Sequence, residues 1–387
     1  MNDFKSILPD DAAEAMLVGR LFDPECGGPC LVHLRGDRLV DVTVAGPTLS
    51  ALLERDDPAQ AVAAVPDRRS WNAGDIITDS LVASDQGLRL LAPCDLQVIK
   101  ACGVTFAGSM VERVIEERAK GDPAQAAILR TQLASAIGAT LADLRPGSPE
   151  AMRAKQVLIQ EGTWSQYLEV GIGPDAEIFT KAPVLSSVGP GSEIGILASS
   201  EWNNPEPEVV LAVNSRGRIH GATLGNDVNL RDIEGRSALL LGKAKDNNAS
   251  CAIGPFLRLF DEGFTLDDVR GLTLHLTVTG AQDGFVMKGQ SSMREISRDV
   301  EDLVAQAIGA HHQYPDGFML FLGTLFAPVQ DRDNPGGGFT HKLRDTVEIA
   351  SDRLGRLVNQ VTYSQSAAPW QFGIGALLRN LAQRGLL

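Results

Sequence analysis

The spacing of apolar and polar positions changes character twice along this chain. Residues 1–95 alternate over short stretches. Leu31–Leu34 and Arg38–Val44 predict two strands joined at Gly36-Asp37, a hairpin signal, and Thr48–Arg55 and Asp57–Val65 predict helices. From Val111 the apolar residues recur every three or four positions. ERVIEERAK, AQAAILRTQLASAIGATLADL and EAMRAKQVLIQEG predict two or three helices, broken at Gly-Asp-Pro and Pro-Gly-Ser-Pro. After Glu177 short apolar runs take over. Val184–Val188, Val209–Val213, Ile219–Leu224, Leu272–Val278 and Phe318–Leu322 predict strands, and Asp299–Ala310 predicts a helix. Asp345–Val361 predicts two strands around Arg353-Leu354-Gly355. The expected class is α+β: a small N-terminal α+β domain (1–95), then a second domain (96–387) built on a β-sandwich or roll with a helical insertion.

One stretch of this pattern carries candidate chemistry. Glu206 and Glu208 stand two apart before the run Val209–Val213, and Ile219–Leu224 ends in Gly225-Asn226-Asp227. In a strand, residues i and i+2 share a face, so the two glutamates aim together. If the two runs pair as a hairpin, Asp227 returns beside them. Three convergent carboxylates repel one another unless a cation lies between them, and an all-oxygen set suits Mg²⁺, Mn²⁺ or Ca²⁺ better than Zn²⁺. The competing reading is a solvated acidic face followed by ordinary Asn-Asp turn chemistry.

Bulk properties narrow the function classes. With 387 residues, 44% apolar, the chain can bury a sizeable core. A net charge of −14 argues against nucleic acid or an anionic membrane as partner, but not against a small anionic substrate. Five cysteines, Cys26, Cys30, Cys94, Cys102 and Cys251, make no disulfide framework. Cys26 and Cys30 sit at zinc-like spacing in a Gly-Pro turn but lack a second Cys/His pair, which favours ordinary reduced thiols. The acidic N-terminus shows no leader pattern and no run reaches membrane-span length, so the expected compartment is the cytoplasm. No P-loop, dinucleotide fingerprint or Ser-His-Asp order appears.

The ordered landmarks CGVTFAGSMVE (102–112), EIFTKAP (177–183), SSVGPG (186–191), EPE (206–208), GNDVNLRD (225–232), AKDNNASCAIGP (244–255), QSSM (290–293), LGT (322–324) and FTHKLRDTVEI (339–349) resemble the fumarylacetoacetate hydrolase superfamily. Within it the chain is most similar to the 2-keto-3-deoxy-pentonate (arabinonate or xylonate) dehydratases. Ser109 stands where the superfamily's opening motif has histidine, the interval from Glu208 to Asp227 is short, and Glu177 precedes the Phe-Thr-Lys step. The resemblance implies a mixed β-roll, a divalent cation, usually Mg²⁺, and a homodimer. It implies dehydration of a 2-keto-3-deoxy-pentonate to 2,5-dioxopentanoate through a metal-stabilised enolate, in oxidative pentose catabolism. The alternative is C–C hydrolysis of an acylpyruvate or 2,4-diketo acid on the same platform.

The resemblance also assigns roles. Glu206, Glu208 and Asp227 would hold the metal. Lys245, with Lys243 as a competitor, would be a cation beside the developing oxyanion or would itself move the C3 proton. Glu177 would serve as general acid/base at the C4 hydroxyl, with Lys181 as its ion-pair partner or a substrate contact. Thr340 and Thr324 would bind the substrate carboxylate, with His341 adjacent. Ser109 and Glu112 separate the reactions: serine is no base near neutral pH, which suits dehydration rather than water activation. Ser109 would bond a substrate hydroxyl and Glu112 close the site, a reading compatible with a capping box, Ser at the N-cap and Glu at N3. His33, His220, His275, His311 and His312 read as ordinary core or surface residues.

Overall fold

Three strands in the middle of the chain have no polar face. Pro207–Val213, Ile219–Asp227 and Cys251–Leu259 are buried almost throughout, as near-continuous apolar runs require when both faces of a sheet are covered. The computed structural model describes residues 7–82, 87–129, 144–160, 162, 164–324, 326 and 328–387, with Ala107, Gly108 and Ser109 described by backbone alone. These three strands form the centre of an 11-stranded mixed sheet. Phe318–Phe321 lies beside Pro207–Val213. Beyond it come Val98–Gly103, in parallel, and Glu177–Ala182 at the edge.

On the other side, Leu17–Asp23 pairs antiparallel with Cys251–Leu259 through Leu17↔Arg258 and Val18↔Leu257. It carries the hairpin Gly28–Arg35 and Arg38–Asp41 into the same sheet. The sheet is therefore continuous from Ser70–Asn72 to Glu177–Ala182.

Parity along Pro207–Val213 divides the core. Val209, Leu211 and Val213 pack with Leu274, Leu276, Val278, Val347, Ile349, Leu357 and Val361 of a second, five-stranded sheet. Val210 and Ala212 face the cluster holding Leu49, Leu52, Leu53 and Val62 of the two short N-terminal helices. The second sheet is half-wet: Thr273–Thr279 alternates exposed and buried residues, as one covered face demands.

Most predicted elements occur within a few residues of their expected bounds. Val184–Val188 does not form a strand: Leu185 adopts φ 63°, which breaks the extended run, and only Val188 bridges to Ala252. The helix expected over Asp299–Ala310 ends at Ala307, and Gly309 and His312 pair in a small turn. The helical region opens at Ala107, with Phe106 at the N-cap and no side-chain cap. Ser109 is therefore inside the first turn and is not the N-cap of a capping box. The predicted segment 124–144 falls in part outside the described residues.

Phe321 locks the sheet centre. It is fully buried, and its ring fills the space that a side chain at Gly225 would need, beside Val210. Phe321→Ala should lower stability by about 3–5 kcal/mol, read by urea unfolding.

Candidate active site

The hairpin register brings the three acids together. Glu208 lies opposite Gly225 and Pro207 opposite Asn226, and the Asp227 N–H donates to the Glu206 carbonyl at 3.0 Å. Glu206, Glu208 and Asp227 are buried, with carboxylate oxygens within 4.8 Å of one another. Glu206, Asp227, Lys245, Glu177 and Thr324 line a narrow, partly open cavity of about 20 Å³ together with Arg113, Glu234, Cys102, Gly103, Val104 and Phe179. That is room for about one water molecule.

The trio is unevenly compensated. Lys245 Nζ contacts Glu206 Oε2 and lies 2.9 Å from Asp227 Oδ2. Arg113 grips Glu206 Oε1. Burial raises the Glu206 carboxyl, but Lys245 and Arg113 overcome it and hold it at about 2. Burial pulls the Lys245 ammonium down, and Asp227, Glu206 and Glu234 reverse this, so Lys245 is a firm cation. Glu208 meets no cation among the described residues. Its oxygens accept from the Gly323 N–H (2.7 Å) and the Thr324 hydroxyl (3.2 Å). Burial, then Asp227 and Glu206, push its carboxyl well above the usual range. The donor set is oxygen-only, and one of its carboxylates lacks a counter-charge. A hard divalent cation on Glu206, Glu208 and Asp227 fits that deficit.

Gly323 donates from φ 98°, a conformation that favours glycine. Glu177 begins its strand opposite Gly103, and its carboxylate lies over that glycine, leaving no room for a Cβ. Burial and then the nearby Glu234 raise the Glu177 carboxyl to about 7.

The remaining predicted residues are placed differently. Lys181 does not pair with Glu177. Four residues along a strand span roughly 13 Å, and Lys181 is fully buried, 2.8 Å from Asp227 Oδ1, donating to the Val228 and Lys245 carbonyls. Thr324 meets Glu208. The Thr340 hydroxyl donates to the Glu201 carbonyl (3.0 Å) and accepts from the Asn203 N–H (3.3 Å), so it ties a loop and does not line the cavity. His341 is buried against Asp345 at 3.3 Å. Glu112 lies 3.6 Å from Arg231 and does not line the cavity. The Ser109 side chain lies outside the described residues.

Sequence reading passed over Arg113, Glu116, Arg231 and Glu234. On the helix Ala107–Ala119, Arg113 pairs with Glu116 at 2.6 Å and with Glu234 at 2.7 Å. Arg231 bonds Glu116, donates to the Pro328 carbonyl and stacks on Trp202. The available signal was two opposite charges three apart among Met110, Val111, Val114 and Ile115, a spacing that puts both on one helical face.

Residues 168–362 match the model of the fumarylacetoacetate (FAA) hydrolase C-terminal family. The chain belongs to this family. It is similar to a probable 2-keto-3-deoxyxylonate dehydratase of Haloferax volcanii, 33% identical over 197 residues, covering 51% of this chain and 63% of that protein. It is also similar to the 2-dehydro-3-deoxy-D-arabinonate dehydratase of Saccharolobus solfataricus, 32% identical over 187 residues, covering 48% and 58%. The matched region spans less than two thirds of either relative. Among solved structures, a 2-keto-3-deoxy-D-arabinonate dehydratase complexed with magnesium and 2,5-dioxopentanoate shares the fold, with TM-score 0.62 and 21% identity over 90% of this chain and 99% of that one. In this FAA hydrolase family member no helix among the described residues is long and apolar enough to cross a membrane.

Gly103→Ala should force the Glu177 carboxylate aside. The expected result, if Glu177 acts in turnover, is a kcat loss of at least about tenfold with unchanged circular dichroism, because displacing a reacting group by about 1 Å is costly.

Proposed function

We propose that the protein is a Mg²⁺-dependent hydro-lyase that dehydrates a 2-keto-3-deoxy-pentonate to 2,5-dioxopentanoate. The observation that carries this reading is the buried Glu206–Glu208–Asp227 trio with Lys245 inside it and a raised Glu177 on the same cavity. A divalent cation bound by the trio would supply the positive charge that draws electrons from the 2-keto oxygen and acidifies C3.

This chain's own groups do the rest. Lys245, held as a cation, stabilises negative charge developing on the keto oxygen and is not the base. Glu177, with both protonation states accessible near neutrality, takes the C3 proton and returns a proton to the departing C4 hydroxyl. One C–H and one C–O bond break, water leaves, and the alkene isomerises to the 5-aldehyde. Arg113 fixes Glu206 and Glu234 on opposite sides of its guanidinium.

The hydrolase alternative needs a base for water. Among the described residues the cavity lining holds no histidine, which favours elimination. Relatives named as dehydratases support the same choice. The finer reading adds an oxidative pentose pathway, a cytoplasmic homodimer, a division into units 1–95 and 96–387, and helices after Val111 that insert beside the site.

Purified protein with Mg²⁺ and D- or L-2-keto-3-deoxy-pentonates should yield 2,5-dioxopentanoate. Activity should vanish with a chelator, and Glu208→Gln should lower it by more than about 100-fold. Pyruvate plus a second fragment would instead mean hydrolysis. Full turnover without metal would falsify the reading.

The stability of the metal-free protein should track Glu177. Its folded value, about 7, lies above the reference 4.5, so its stabilising contribution is complete below about 4.5 and is lost as pH rises through about 7. Thermal melts across that window should fall less steeply with pH for Glu177→Gln than for the wild type.

A further inference from the structure

A second cluster of ligand-type side chains lies apart from the carboxylate trio, at the turn between the first two strands. Asp23 ends one strand, Cys30 lies in the next opposite Leu21, and Cys26 sits in the turn between them. The two thiol sulfurs are 3.8 Å apart, and an Asp23 carboxylate oxygen belongs to the same group within 4.8 Å. Two thiolates on one tetrahedral zinc, with bonds of about 2.3 Å, stand about 3.8 Å apart. Cys-x3-Cys falls within the spacing such sites use.

The surroundings resemble those of a ligand set rather than of spare thiols. Arg69 holds Asp23 at 2.5 Å, and Arg384 lies 3.3 Å from the Cys30 sulfur while donating to the Pro29 carbonyl. Both ligands are thus oriented by an outer donor, as metal ligands commonly are. Asp23 and Cys30 are buried, and the partly exposed Cys26 leaves a way in.

We propose that Asp23, Cys26 and Cys30 form a binding site for a soft divalent metal ion of the zinc class, with an open fourth position. The site is chemically separate from the oxygen-only trio. Binding would displace two thiol protons. Asn380 donates to the Cys26 carbonyl at 2.7 Å, and Arg384 follows the helix Ile374–Gln383, so the ion would also pin the C-terminal helix to this turn.

The test is a titration of the reduced full chain with Co²⁺, then Zn²⁺, under saturating Mg²⁺ to occupy the carboxylate trio. One equivalent of Co²⁺ should give a thiolate-to-cobalt charge-transfer band that Zn²⁺ abolishes. Cys26→Ser, in the exposed turn, and Cys30→Ser should each remove the band while leaving turnover unchanged. Apparent affinity should rise with pH by up to about 100-fold per unit, as release of two protons requires. A band that persists in the double serine variant overturns the proposal. So does reduced protein that shows no thiolate band while its two cysteines oxidise readily to a disulfide.

Discussion

Buried like charge is the constraint around which the centre of this protein is organised. Three carboxylates at the end of two central strands share a buried volume. Removing one ionised group from water costs several kcal/mol even after relaxation, and mutual repulsion adds to it. The protein answers with Lys245 between Glu206 and Asp227, Arg113 on Glu206, and Lys181 behind Asp227. Among the described residues Glu208 receives only a backbone N–H and a hydroxyl. That asymmetry gives the site its electrostatic character: one carboxylate is left for a charge that the chain does not supply.

The architecture makes this arrangement rigid. Pro207–Val213 is covered on both faces, by the second sheet through Val209 and Leu211 and by the N-terminal helices through Val210 and Ala212. A strand clamped in this way cannot slip by one residue without sending its whole side-chain row to the wrong layer. The register of Glu206, Glu208 and Asp227 is therefore fixed by aliphatic packing several residues away. Leu17–Asp23 extends the same sheet, so the N-terminal strands contribute to the frame that positions the acids.

What the sequence made legible follows from the range of each interaction. Glu206, Glu208 and Asp227 were readable because strand parity and a hairpin return are local geometry. The helices at Leu49–Leu53 and Val300–Ala307 were readable for the same reason, each with a side-chain N-cap at Thr48 or Asp299. Lys181 was misplaced because its partner lies on a strand that is not its neighbour in the sheet: local sequence offered Glu177, and tertiary packing delivered Asp227. Val184–Val188 carried strand composition, but a positive φ at Leu185 and the single bridge at Val188 override composition. Arg113 and Glu234 come from segments far apart in the chain, and their pairing exists only once helix and hairpin have docked.

The same docking separates the proton affinities of the two groups nearest the trio. Lys245 is surrounded by Asp227, Glu206 and Glu234, which outweigh its burial and keep the ammonium charged. Glu177 is half-buried on the edge strand, and desolvation, followed by the nearby Glu234, outweighs Arg113 and Lys245 to raise its carboxyl to about 7. An environment that moves a lysine up and a carboxyl up together leaves a fixed positive charge beside a carboxyl that can exchange a proton near neutrality, the division of labour the proposed elimination would use. An elimination needs both, one to tolerate charge on the keto oxygen and one to carry a proton from carbon to the leaving oxygen. Glu177 sits folded over Gly103 on the wall of the same cavity. Glu234 contributes to both shifts, so the charge pattern behind the proposed elimination does not depend on the residue at position 109.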